Sequence, residues 1–258
     1  MATYVRFSTA DDASVRGGVV SDGIVREYEG DLFHEPAFTG RTYNIADVAL
    51  KAPLEPRHLI GIGKNFVGEG EAKPDIPDLP ILFFKPLTTV IGPGEPIVTP
   101  PGAPKVKFES ELAVVIGKRC KDVRPEDADG CIFGFTVAND VSAANFFHPE
   151  GHWTVGKSFD TFCPLGPVLV TSFDYRNARI QARVNGVEKQ NSPMERIVMP
   201  IDRMIAFISR FMTLMPGDVI LTGTPAGAGA VRDGDVVECR IDGIGSLTNP
   251  VRSFRPSP

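Results

Sequence analysis

The chain has 258 residues, 42% hydrophobic and 23% charged, with a net charge of −5. Such a chain can bury a sizeable core, and its mild acidity argues against nucleic acid or an anionic membrane as partner. No apolar run approaches the roughly 18–20 residues of a membrane span, and the opening MATYVRFSTADDASVRGG has early acids and no apolar h-region, so a cytoplasmic protein is expected.

Residues 1–55 read as a small N-terminal β unit, with a hairpin turn at SDG, Ser21–Gly23. KAPLEPRH reads as a linker, and LIGIGKNF begins the main body, 56–258. EGEAKPDIPDLP is loop-like, rich in acids and proline, and the strands of ILFFKPLTTVIGPGEPIVTPP are broken by Pro-Gly turns. KFESELAVVIGK reads as a strand, RCKDVRPEDADG as a polar excursion holding one helical turn, and CIFGFTVANDVSA as a strand with a polar end. PLGPVLVTS, ARIQARVNGVEKQ and DVVECRIDGIGSLTNPV are further strands, with turns at Asn185–Gly186 and Asp242–Gly243. One helix is clear in PIDRMIAFISRFMTLMPGD, where Ile201, Met204, Ile205, Ile208, Phe211 and Met212 form a stripe expected in the core. Few helices among many short strands give a β-rich α+β body.

Glu109 and Glu111 stand two apart on a strand and so project from one face. A wet surface would explain them, but Ala113 and Val115 follow on the same face and suggest that it is covered. Covered carboxylates need a cation, a proton or several donors. Asp140, at a strand end, offers a third carboxylate, and three oxygen donors suit a hard divalent cation such as Mg²⁺ or Mn²⁺. Lys157, in TVGKSFDTF, is the candidate basic partner for an anionic substrate. DVILTGTPAGAG is a strand entering a Gly-rich loop that matches neither a Walker A loop nor the dinucleotide fingerprint. It reads either as a tight turn or as a nest of N–H groups, Gly223 included, that works with the Thr224 hydroxyl to hold a carboxylate. Cys120, Cys131, Cys163 and Cys239 show no CxxC or zinc spacing and are expected to be reduced, with Cys163 a buried inert thiol.

The order of IGIGKNF, LFFKP, IGPGEPIV, FESELAVVIGK, GFTVANDVSA, WTVGKSFDTFCPLGP, RVNGVEKQ and MTLMPGDVILTGTPAGAG resembles the fumarylacetoacetate hydrolase family over about residues 58–252. The resemblance implies a mixed β-sandwich roll, a homodimer and a divalent metal held by Glu109, Glu111 and Asp140. It places the active-site lysine at Lys157 and the substrate-carboxylate threonine at Thr224. The implied substrates are 2-oxo acids, acylpyruvates and their enols.

Hydrolytic members typically carry Asn-Tyr-x-x-His-x-x-Glu on a lid. The matching run here is NFVGEGEA: Asn65 and Phe66 fit, but Glu69 stands at the His position and Ala72 at the Glu position. The four histidines, His34, His58, His148 and His152, lie elsewhere. Ala144 follows VSA, at a position where many relatives have Arg. Water attack wants a base near neutrality, which His supplies; proton transfer on an enol does not need activated water. The expected activity is therefore isomerase, tautomerase or decarboxylase chemistry on 2-oxo dicarboxylates, as in aromatic catabolism, with Lys157 or Glu69 moving the proton and Phe66, Gly223, Thr224 and Lys157 contacting substrate. An acylpyruvate C–C hydrolase using Glu69 or Glu71, and a catalytically silent metabolite-binding protein, are the alternatives.

Overall fold

The computed structural model describes residues 1–255. Its largest sheet runs, in spatial order, through Ala37–Asn44, Ile24–Glu29, Arg16–Ser21, Thr3–Thr9, Cys163–Val170, Ile132–Asn139, Ser110–Ile116, Val219–Leu221, Leu59–Gly63 and Ile81–Lys85. Most neighbours are antiparallel, but Val219–Leu221 runs parallel to Leu59–Gly63, which makes the sheet mixed. A five-stranded sheet (Val187–Pro193, Arg179–Val184, Val236–Ile241, Gly245–Ser253, Ile97–Thr99) and a three-stranded one (Ser142–Ala143, Val106–Phe108, Gly229–Val231) complete the roll.

The turn chemistry is where the residues put it. Asp22 and Gly23 both have positive φ, as do Asn185 and Gly186, which is the two-residue hairpin geometry matching strand twist. The polar excursion holds a 3₁₀ turn, Pro125–Cys131. The N-terminal strands join the body at one seam, where Thr3 and Tyr4 pair with Val170 and Leu169. The KAPLEPRH segment is packed as well as connecting, with Ala52 and Leu54 buried.

The strand Ser110–Ile116 is buried along its whole length. Leu112, Val114 and Ile116 enter one apolar cluster, with Ile180, Val237, Ile241 and the helix residues Met204, Ile205 and Ile208. Ala113 and Val115 enter a second cluster on the other face, with Leu59, Leu165 and Leu221. A strand covered on both faces sits at the centre of the fold.

Two expectations fail. The helix spans Ile201–Phe211, and Phe211 in its last turn is 62% exposed, edging against Phe207 rather than filling the core. Cys120 and Cys131 are not free thiols: they form a disulfide across 11 residues, because the 3₁₀ turn returns Cys131 to within a Cα separation of 6.5 Å. Cys163 and Cys239 are free and buried, and burial pushes both thiols up to about 12, which fits the inert reading of Cys163.

Candidate active site

The site begins at a break in a strand. KFESELAVVIGK is not one strand but two: Val106–Phe108 pairs within the three-stranded sheet, Ser110–Ile116 within the large one, and Glu109 is the residue at the switch. The bend is held from Asn139 and Asp140. The Glu109 N–H donates to Asn139 Oδ1 (2.9 Å), and the Asp140 N–H donates to the Glu109 carbonyl (2.9 Å). This one crossing brings Glu109, Glu111 and Asp140 together, with a ligand oxygen of each within 4.8 Å of the others.

Glu111 and Asp140 are buried, while Glu109 opens to a cavity of about 280 Å³. The cavity is walled by Phe83, Phe147 and Trp153 and bordered by Lys64, Lys157, Gly223 and Thr224. Lys157 reaches it from a single helical turn, Thr154–Lys157. That turn lies so close to its neighbours that a Cβ on Gly156 would stand 2.6 Å from the Ala143 carbonyl, so only glycine lets the lysine in. Lys157 Nζ donates to Glu109 Oε2 (2.8 Å) and to Asp140 Oδ2, and lies 4.8 Å above the Phe83 ring. Behind Asp140, fully buried Lys85 donates to its Oδ1 (2.6 Å) and to the Val141 carbonyl (3.0 Å).

Two ammonium groups against three carboxylates leave the cluster one positive charge short. The shortfall shows in proton affinity. Burial pushes Glu111 well above the ordinary carboxylate value, with Asp140 adding repulsion and the Gly223 N–H relieving part of it. Burial also raises Glu109, more than Lys157 can offset. Burial would raise Asp140 too, but Lys157 and Lys85 outweigh it and hold Asp140 low. Lys157 loses proton affinity to burial and regains more from Asp140 and Glu109, so it is held firmly as an ammonium. A donor set made wholly of oxygen, buried and short of positive charge fits a hard divalent cation.

Not every expected residue comes to the cavity. Glu69 is exposed and lines a separate cavity of about 610 Å³, with Arg196 and Pro225. Phe66 is half-buried against the core, bridged to Ile197, and is not among the residues lining the cavity. Gly223 does border the cavity, but its N–H donates to Glu111 Oε2 (2.7 Å), so it positions a carboxylate rather than offering an open nest. The Thr224 hydroxyl is likewise engaged: it donates to the Ser110 carbonyl (2.8 Å) and accepts from Gln190 Nε2 (2.8 Å). His148 and His152 are exposed and line none of the cavity.

Lys85 and Gln190 escaped the sequence reading. A lone lysine in LFFKP resembles any strand-end charge, and Gln190 sits far along the chain from the loop it braces. The one signal for Lys85 was a lysine closing an otherwise apolar strand.

An acid cluster that its own fold leaves partly uncompensated has the layout of an enzyme site for small molecules rather than of a structural core. The chain belongs to the fumarylacetoacetate hydrolase family: residues 58–252 match the fumarylacetoacetate (FAA) hydrolase C-terminal domain, and residues 3–53 match the Rv2993c-like N-terminal domain. It is 44% identical over 220 residues to the mitochondrial oxaloacetate tautomerase fahd2 of Xenopus laevis, covering 80% of this chain and 69% of that one. Among solved structures, 2-hydroxyhepta-2,4-diene-1,7-dioate isomerase from Mycobacterium marinum superposes with a TM-score of 0.91 at 40% identity, covering 99% of this chain and 100% of the other. Maleylpyruvate hydrolase from Sphingobium sp. SYK-6, in complex with manganese(II) and pyruvate, superposes with a TM-score of 0.83 at 28% identity, covering 99% and 100%. Relatives of this chain therefore include tautomerases, isomerases and hydrolases.

Proposed function

We propose that the protein is a divalent-metal-dependent tautomerase or isomerase of short 2-oxo dicarboxylates and their enols. The observation that carries this reading is the proton inventory of the cavity: a firmly protonated ammonium, Lys157, beside three carboxylates, with no imidazole in the lining. Glu109, Glu111 and Asp140 would hold Mg²⁺ or Mn²⁺. When bound there, the cation supplies Lewis-acid polarisation of a 2-oxo carboxylate. In the ketonising direction the Lys157 ammonium donates a proton to the enol carbon, and the enol O–H proton returns to the Lys157 amine, so the ammonium is restored; the enolising direction runs the same two transfers in reverse. The Lys157 charge also faces the negative charge that develops on the substrate oxygen. Phe83, Phe147 and Trp153 limit water around the reacting atoms. Of the two proton carriers expected from the sequence, only Lys157 touches this cavity, which favours it over Glu69.

Proton NMR in D₂O with Mg²⁺ tests the reading, on oxaloacetate and on a short acylpyruvate against protein-free controls. Faster entry of deuterium at the carbon next to the keto group, with the skeleton intact, is expected. Release of pyruvate and an acid from the acylpyruvate would support a C–C hydrolase instead.

We also propose a homodimer. Ile81–Lys85 ends the large sheet with a free edge among the described residues, and Leu79, Ile81, Phe84 and Leu87 are exposed beside it. Light scattering coupled to gel filtration is expected to give twice the mass of the chain.

A further inference from the structure

Lys64 is a third lysine at the cavity, and the fold holds it there in an unusual backbone conformation. It follows the strand Leu59–Gly63 with a φ of +55°, the left-handed region that side-chain-bearing residues seldom adopt. The conformation is imposed from both sides. On one side, buried Asn65 is tied down: its Oδ1 accepts from Met199 N–H (2.8 Å), its Nδ2 donates to the Thr222 carbonyl (2.9 Å), and its carbonyl accepts from Val198 N–H (2.8 Å). On the other, the Gly63 backbone lies so close on the Trp153 ring that a Cβ there would collide with it. Strain held in place by such surroundings at a cavity rim points to a role for the residue that bears it.

The charge on Lys64 is also unspent. Lys85 and Lys157 are both committed to Asp140, whereas Lys64 has no carboxylate partner among the described residues. It is exposed and stands in the lining of the carboxylate cavity, beside Phe83, Phe147 and Trp153. The acid cluster with its two lysines carries one net negative charge, which a divalent cation converts to one net positive charge. A monoanionic 2-oxo acid would neutralise that. A dianion needs one more positive charge, and Lys64 supplies it at the mouth.

We propose that Lys64 is the specificity residue of this site, binding the distal carboxylate of a short dicarboxylate and so separating dianionic from monoanionic substrates. The inference rests on the proposed function for the orientation it assumes, with the 2-oxo acid end at Glu109, Glu111 and Asp140.

The test is binding, so it does not depend on turnover. Affinities of malate and of lactate, which lacks the distal carboxylate, are measured by calorimetry on Mn²⁺-loaded wild type, Lys64→Met, Lys64→Arg and Lys64→Gly. Lys64→Gly relieves the backbone strain, so a loss in it cannot be ascribed to misfolding. Wild type and Lys64→Arg are expected to prefer malate by roughly tenfold, the scale of one charge-assisted contact at a partly wet site. Lys64→Met and Lys64→Gly are expected to bind malate as weakly as lactate, with lactate unchanged. A preference that survives in Lys64→Met and Lys64→Gly, an equal loss for both compounds, or no malate preference in wild type overturns the proposal. Failure of the tautomerase reading would show separately, as wild-type protein that separates malate from lactate yet exchanges no substrate hydrogen.

Discussion

Two of the places where the molecule buries acid are compensated in opposite ways. In the N-terminal strands, Glu27 is 2% exposed and has more partners than charge: Arg41 on one oxygen, the Tyr43 hydroxyl at 2.8 Å on the other, and Arg16 at 3.9 Å. Burial alone would raise Glu27, but Tyr43, Arg41 and Arg16 outweigh it and hold the carboxyl below its ordinary 4.5. At the sheet switch, three carboxylates share two lysines, and both glutamates are pushed up. Acid whose partners hold it ionised is finished structure. Undercompensated acid stores an electrostatic cost that a bound cation can relieve.

The largest effect is expected where a proposed metal ligand is neutralised. Glu111→Gln is expected to lower the metal-dependent exchange rate by roughly a thousandfold or more, since it removes a ligand to the proposed Lewis acid. The same change is expected to raise the melting temperature of metal-free protein near neutral pH, because an ion disfavoured by the fold has gone. Scanning calorimetry beside the NMR assay reads both. Lys157→Met comes next, with a loss of about 10²–10⁴-fold in exchange that added small primary amines partly restore if Lys157 is the proton carrier.

Smaller effects sharpen the contrast. Gln190→Leu takes one of two partners from the Thr224 hydroxyl and removes the Gln190 bonds to the Ser110 N–H and the Pro225 carbonyl, so KM is expected to rise by about tenfold with kcat little changed. Glu27→Gln is expected to leave exchange untouched and to cost stability, read as a fall in melting temperature of about 2–4 °C for each kcal/mol lost in a chain of this size. Its pH dependence has a defined sign. A lowered folded value means the stabilisation is present above pH 4.5 and is lost as pH falls through the folded value. The variant is therefore expected to show a shallower loss of stability than wild type below pH 4.5.

The two regions also differ in how far the sequence revealed them. Glu109, Glu111 and Asp140 were legible because strand alternation and a strand end are local signals, and Lys157 and Thr224 because they sit in segments with a recognisable order. Asn185–Gly186 and Ser21–Gly23 were legible because turn geometry needs those residues. The switch of sheets at Glu109 was not, since it depends on Asn139 and Asp140 gripping the backbone from 30 residues away. Lys85 was hidden for the same reason: its role is set by a carboxylate 55 residues on. The lid comparison singled out Glu69 and Phe66 by position in a motif, and position along the chain did not carry them to the cavity. The disulfide shows how composition misleads, because cysteine spacing alone does not reveal a 3₁₀ turn that doubles the chain back.

The proposed chemistry of the cavity depends on the undercompensated cluster taking a cation. The direct measurement is a Mn²⁺ titration followed by electron paramagnetic resonance on wild type and Glu111→Gln. One bound ion per chain in wild type, with affinity at least about tenfold weaker in the variant, is the expected result. No bound ion in wild type, or equal binding in both proteins, would contradict it.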